Sequence, residues 1–448
     1  MKKFVRVLAL ALAVLMIAAL AGCAKTPASS TSPASEAPSS AAPAESQQPD
    51  KDYKDTKFTI AWWGNDARNN ATTQLIEEFE KAYPNLKIDV VFADWNGYWT
   101  AIQTRAASKT LPDVMQMDYG TIATYAGNNQ LLALDDLIKN GSIDLTNAKE
   151  DSISAGKLNG KMYGIVTGVN SPTGLYNPEI LKEAGVTLSK TPTLEEFNAA
   201  SKTVYEKTGA FTDVMGLLFF IRIHGMNPHS DDGKSVGYTA EVLKKYWEYL
   251  DDGYNVNGYF ANPNSKYDYE TPAAAFAAKA LWIDWDYSNK IMGYEDESGL
   301  QMEMMVLPST DACKNGSYMK PNMLWSVSAN TENQELAAAF LNYFVNEAKT
   351  YEVCGIDRGM PISSKIRETI APTMTGSQKK FSEFLTFIEE NNSVSAIYSP
   401  EPTATGECNS VLNEIWEKIQ YGQVNRADFA SLAEETIKKL NDILAKGE

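Results

Sequence analysis

Apolar positions along this chain follow two periods in turn. From Phe58 to Trp62 they run almost unbroken (Phe58, Ile60, Ala61, Trp62), which predicts a buried strand. Over Thr72 to Tyr83 the residues Leu75, Ile76, Phe79, Ala82 and Tyr83 recur at helical spacing, and Pro84 stops the helix. Leu86, Ile88, Val90 and Phe92 then alternate with polar residues, giving a second strand. A helix through Tyr98, Ile102 and Ala106 and a third strand over Asp113 to Met117 complete the pattern. Strand, helix, strand, helix, strand predicts a parallel sheet with right-handed crossovers. Open sheets of this kind bind ligands beyond the carboxyl ends of their strands. Those ends carry Trp62-Trp63, Asp94-Trp95 and Asp118-Tyr119. Neighbours on a strand point to opposite faces, so at most one of Trp62 and Trp63 packs into a given core layer; at least one is expected to face a ligand.

The pattern continues less regularly. Lys157 to Val186 passes from a Gly turn through two strands into a helix, and Thr193 to Tyr254 is mostly helical, with Tyr246, Trp247 and Leu250 on one stripe. Ala273 to Ala280 predicts a small-residue helix leading into Leu281-Trp282-Ile283. Met323 to Ser328 is strand-like, and Glu335 to Val345 is a helix packed through Leu336, Phe340 and Phe344. Near the end, Phe429, Leu432, Ala433, Ile437, Leu440 and Leu444 mark an amphipathic helix that Asp428 is expected to cap.

The first residues change the picture. Lys2, Lys3 and Arg6 precede an apolar run, Val7 to Leu20, that is shorter than the roughly 20 residues a spanning helix needs. This is the layout of a secretory signal peptide, residues 1–22. It ends in Leu20-Ala21-Gly22-Cys23, which resembles the lipobox of bacterial lipoproteins. The resemblance implies cleavage before Cys23, acylation of that cysteine, and a protein anchored by lipid to the extracytoplasmic face of the cell membrane. Residues 23–54 are rich in Ala, Ser and Pro and cannot bury enough surface to order themselves, so they read as a tether. Tethering suits a monoderm bacterium, from which an untethered binder would diffuse away.

The remaining body of about 390 residues exceeds one ordinary core and implies two lobes. The net charge is −17, and removing Lys2, Lys3 and Arg6 with the signal leaves about −20. Such acidity argues against nucleic acid, whose phosphates call for Lys and Arg. With Cys23 acylated, Cys313, Cys354 and Cys408 are left, an odd number that allows one disulfide at most.

Several stretches together resemble the extracellular solute-binding lipoproteins of ABC sugar importers, the family that includes the maltose-binding protein. They are FTIAWWG, EFEKAYPNLKIDV, LPDVMQMD, LLALDDLI, NGKMYGIVTG followed by GLYNPEILKEAGV and TPTLEEF, then AFAAKALWIDW, WSVSANTENQELAAAFLNYF and RGMPISS. The resemblance covers most of Phe58 to Ile370; the residues beyond match only as helices. It implies an α/β fold of two lobes, each a mostly parallel sheet flanked by helices, joined by hinge crossings and closing on a ligand between them. Carried over, the crossings fall near Thr167 to Ser171, near Asn322 to Ser328, and after the helix that follows Arg358. Lobe one becomes 55–168 plus 326–370, and lobe two 169–325 plus 371–448.

The residues suit a sugar. The C–H face of a pyranose stacks on an aromatic face, and its hydroxyls seek charged or amide partners. The platform candidates are Trp62, Trp63, Trp95, Tyr119, Trp285 and Trp325; the polar candidates are Asp94, Asp118, Asn170, Asp284 and Arg358. Asn170 stands where relatives often carry a carboxylate, and Leu281 to Trp285 is bulkier than the usual strand. Catalytic patterns are weak. Asp284 and Asp286 share one face of one strand, whereas glycosidase carboxylates flank the scissile bond from opposite sides. His224 and His229 lack metal-ligand spacing and read as loop residues, and Asp231-Asp232-Gly233 and Glu295 to Glu297 as solvated turns or calcium loops. The expectation is a non-catalytic, monomeric receptor that captures a carbohydrate, an oligosaccharide by its count of aromatics, without a cofactor, and delivers it to the membrane permease of an ABC importer. The alternatives are the same fold for a polyol, uronate or polyamine, and a surface glycosidase or lyase.

Overall fold

The computed structural model describes residues 52–446 except 263–264, 266–267, 392–401 and 403. The signal segment 1–22, Cys23 and the tether as far as residue 51 lie outside the described residues.

Strand β1 (Phe58–Trp63) is apolar nearly throughout because it is covered on both faces, as a central strand of a parallel sheet must be. It pairs in parallel with β2 (Ile88–Ala93) on one side and β3 (Val114–Asp118) on the other. The helices between them, Asp66–Glu80 and Trp95–Ala107, begin immediately beyond the strand ends, with the side chains of Asn65 and Asp94 accepting the N–H groups of Arg68 and Gly97. A short hairpin, β4 (Lys157–Leu158) and β5 (Lys161–Met162), turns through Asn159 and Gly160, both at positive φ, as a two-residue Asn-Gly turn requires. Then come β6 (Ile165–Val166), β7 (Val169–Asn170), β8 (Pro172–Tyr176), β9 (Phe211–Thr212), β10 (Leu281–Tyr287), β11 (Glu303–Met305), β12 (Lys320–Pro321) and β13 (Met323–Val327).

The strands form two main sheets, ordered β2-β1-β3-β13-β6 and β11-β8-β10-β9. Among the described residues each sheet contains one strand running against all the rest: β13 is antiparallel to β3 and β6, and β8 to β10 and β11. Both reversed strands have the same cause. Each enters its sheet straight from a crossing segment, at the edge where the other strands end. Met323 therefore lies beside Asp118, and Pro172 beside Tyr287. The first sheet takes in Met323, Leu324 and Trp325, which the expected border at 326 assigned to the other lobe.

The crossings are stitched together. β7 pairs with β12, Val169 exchanges hydrogen bonds with Met360, and the Asn322 side chain donates to the Arg358 carbonyl at 3.0 Å. Two glycines allow this close approach. A Cβ on Gly168 would stand 2.4 Å from the Arg358 carbonyl oxygen, and Gly359 sits at φ +97 against Val169. Past the helix Ser364–Ile370, the helix Gly376–Asn391 docks on the second sheet's side, where Lys380 pairs with Glu295 and Glu303. Glu295 is thereby held in an ion pair. The last helix, Phe429–Leu444, differs from expectation: Asp428 makes no capping bond, because a 3-10 turn over Arg426–Asp428 precedes it and Asn425 accepts from Ala427 instead. Cys313, Cys354 and Cys408 are all free thiols.

Candidate interlobe binding site

A cavity of about 500 Å³ lies between the carboxyl edge of the first sheet and the second lobe, within the range of small-molecule sites. Asp118, Tyr119 and Gly120, just past β3, form one wall, and Lys320, Pro321 and Asn322 of the crossing form the back. The opposite wall is assembled from separate pieces. The short helix Leu217–Arg222 buries Phe219 and Phe220 and turns Leu217 and Leu218 to the cavity. His229, Val236 and Tyr238 come from the loop after it, Tyr287 from the end of β10, Tyr318 from the approach to β12, and Thr405, Cys408 and Asn409 from the helix Thr405–Gln420.

Four tyrosines thus surround the space. Burial raises the Tyr119 and Tyr238 phenols well above their ordinary value and pushes Tyr318 up to about 12, so all three keep their protons. Tyr287 and Tyr318 are each backed by a cation: Lys320 lies 4.4 Å from the Tyr287 ring centre and the buried Arg222 guanidinium 4.8 Å from that of Tyr318. Burial lowers the His229 pKa and keeps its imidazole neutral near pH 7. Three polar atoms of the lining are buried without a hydrogen-bond partner among the described residues: the Tyr119 hydroxyl, His229 Nδ1 and Thr405 Oγ1. Buried atoms such as Trp325 Nε1 and Ser326 Oγ are likewise unpartnered in the first lobe's interior, but these three belong to residues that line the cavity, where a ligand could supply the missing bonds.

The residues proposed from the sequence divide sharply. Asp118 and Tyr119 line the cavity, with the Asp118 carboxylate also accepting the Gly120 N–H at 2.8 Å. Asn170 lies buried on crossing strand β7, its Oδ1 unpartnered. The two neighbouring tryptophans face opposite ways, as alternation requires. Trp62 is core: its indole N–H donates to Asn69 at 3.0 Å and its ring stacks on Phe92. Trp63 turns toward the helix Trp95–Ala107, against Trp95, Tyr98 and Trp99. Asp94 is the exposed cap of that helix, and Trp95 is 46% exposed beside it.

Four other proposed contacts are corrected by their burial. Trp325 is wedged between Phe340 and Phe344, and Trp285 packs edge-on to Phe197 at 5.0 Å; neither reaches the cavity. Arg358 lies inside the first lobe, where Nε donates to Gln116 Oε1 at 3.1 Å and Nη2 to Thr72 Oγ1 at 2.8 Å, over the faces of Trp325 and Phe344. Burial lowers its pKa to about 10, still fully charged at pH 7. Asp284 is also withdrawn, accepting from the Tyr294 hydroxyl at 2.7 Å. Burial pushes its carboxyl up to about 6, and that of its half-buried neighbour Asp213 to about 7, with the Asp284 charge adding to the second shift.

Tyr238, Tyr287, Tyr318, His229, Lys320 and Thr405 were missed. Tyr287 was within reach, since it ends β10 as Asp118 ends β3 and the strand-end rule applies to both sheets. A loop residue such as His229 and a helix's first residue such as Thr405 carry no periodic signal. Among the described residues no group of three or more His, Cys, Asp or Glu side chains is placed to hold a metal ion, and no helix is long and apolar enough to cross a membrane.

The model of the bacterial extracellular solute-binding proteins matches residues 74–376. The chain belongs to that family. As a solute-binding protein it is 24% identical over 158 residues to the arabinooligosaccharide-binding protein of Bacillus subtilis; the match covers 35% of this chain and 36% of that one, about a third of the relative's length. A family 1 extracellular solute-binding protein from Alicyclobacillus acidocaldarius has the same fold, with TM-score 0.75 and 22% identity over 87% of this solute-binding protein and 99% of the other. So does an oligogalacturonide-binding protein from Yersinia enterocolitica solved with saturated digalacturonic acid, at TM-score 0.68 and 20% identity over 87% and 99% of the two chains.

Proposed function

We propose that this solute-binding protein captures a carbohydrate in the interlobe cavity and delivers it to the permease of an ABC importer, while anchored to the outer face of the cell membrane through an acylated Cys23. The observation that carries the reading is a cavity walled by four tyrosines whose lining residues Tyr119, His229 and Thr405 each hold a polar atom without a partner among the described residues. Sugars need both halves of that arrangement: aromatic faces for their C–H surface and fixed partners for their hydroxyls. The oligosaccharides named for the Bacillus and Yersinia proteins support the same class of ligand. Closure would bring residues 55–168 and 323–370 toward 169–322 and 371–448 about the stitched crossings, driven by the ligand's preference for the closed form. The uronate alternative loses the cation first suggested for it, because Arg358 is engaged inside its own lobe. Asp284, offered as half of a carboxylate pair, stands outside the cavity lining on Tyr294.

A thermal-shift panel of neutral and acidic mono- to tetrasaccharides tests the binding step. A cavity ligand at a hundred times its Kd adds about 2.7 kcal/mol of stability. A panel in which every saccharide leaves the melting temperature unchanged overturns the reading. Anchoring is checked separately: labelled fatty acid should enter the wild-type protein in cells and be absent from Cys23→Ser.

A further inference from the structure

The inference rests on the carbohydrate reading and adds a second point of contact. Trp95 is 46% exposed, one of two large apolar side chains by the first sheet, with Phe92 of β2 at 45%, that stand open to water among the described residues. Its ring stands edge-on to Trp63 at 5.0 Å and to Trp99 at 5.7 Å, and these in turn rest on Tyr98 and Tyr125. A tryptophan held by two others keeps one orientation and loses little rotamer freedom when a ligand arrives. Beneath it, the Trp99 indole N–H is buried and has no acceptor among the described residues. Core packing explains Trp63 and Trp99 but leaves half of Trp95 in water.

Its position gives the exposure a use. In the order β2-β1-β3-β13, Asp118 at the end of β3 belongs to the cavity wall, and Trp95 follows the end of β2 on the same edge. Two strand spacings separate those ends, about 10 Å. That is further than one sugar ring reaches and within the span of a short glycan.

We propose that Trp95, backed by Trp63 and Trp99, is an outer subsite that stacks a ring of an oligosaccharide whose other end occupies the cavity, so that the protein selects its ligand by chain length. The test is calorimetric titration of the whole protein, wild type against Trp95→Ala and Trp95→Phe, with arabino-oligosaccharides and oligogalacturonides of one to five rings. Wild-type affinity should rise with length. Trp95→Ala should lose about tenfold on the longest ligand that binds and nothing on the shortest, and Trp95→Phe should recover part of the loss. An equal loss at every length, or none, overturns the outer subsite and leaves the cavity reading intact. A wild-type protein that binds no member of either series overturns both. Should Trp95→Ala unfold, Trp95→Phe decides by the same length dependence.

Discussion

The two sheets meet the cavity by different means. The first delivers Asp118 and Tyr119 directly from the end of β3, whereas the second delivers only Tyr287 that way and borrows the rest of its wall from a short helix, a loop and a helix that starts at Thr405. Their interiors differ as well. The first lobe buries a cation, Arg358, with hydrogen bonds to Gln116 and Thr72 and two aromatic faces beneath it. The second buries a cation too, Arg222, and adds two carboxyl groups, Asp213 and Asp284, that burial drives toward the neutral form. The difference teaches that a charged residue near a strand end is no guide to the ligand by itself. Charges engaged within a lobe serve its interior, and beside Asp118 and Lys320 the cavity presents mainly neutral donors and acceptors.

The largest expected effect comes from breaking the first lobe's clamp. Arg358→Ala removes a buried guanidinium and strands Gln116 Oε1, while the Thr72 hydroxyl keeps its bond to the Arg68 carbonyl; the cavity and the lost bonds cost about 2–4 kcal/mol in urea unfolding. Unchanged stability with lost sugar binding would instead return Arg358 to the cleft. The second lobe should respond to pH rather than to a lost partner. Both carboxyls have folded pKa values above the usual 3.8, at about 7 and about 6. Their contribution is therefore complete below pH 4 and is lost as pH rises through 6 and 7. Stability should fall by on the order of 4 kcal/mol between pH 5 and pH 8. Asp213→Asn still offers one acceptor to the Trp285 N–H and should flatten that slope. A slope identical to wild type would mean the pair carries no such strain.

How much of this was legible in the sequence follows the same division. Wherever period and strand end coincide, as at Phe58 to Tyr119, the elements, their order and two cavity residues could be read directly. Alternation also required Trp62 and Trp63 to part company, but not which of them would meet Asn69 and the core. Burial of Trp325 and Arg358 depends on the helices Asp66–Glu80 and Gln334–Asn346 closing over them, a tertiary fact with no local signature. The second wall joins residues nearly two hundred positions apart, from Leu217 to Leu412, through loops that pattern cannot place. Tyr287 is the exception, legible by the rule already applied to the first sheet.

The smallest expected effect separates fold from function most cleanly. The Tyr119 hydroxyl is buried on the cavity with no partner among the described residues, so it contributes nothing to the unliganded protein beyond its own desolvation cost. Tyr119→Phe keeps the ring against its neighbours and removes only the oxygen. The melting temperature without ligand should stay level or rise slightly. Affinity for any saccharide that occupies the cavity should fall by about 1 kcal/mol, roughly fivefold, since one neutral hydrogen bond is lost. Arg358→Ala should show the opposite combination, with stability falling before binding can be read. If Tyr119→Phe lowers stability and leaves affinity untouched, its hydroxyl belongs to the lobe, and the contrast between cavity and interiors fails at one of the two residues, with Asp118, that both the sequence and the structure assign to the site.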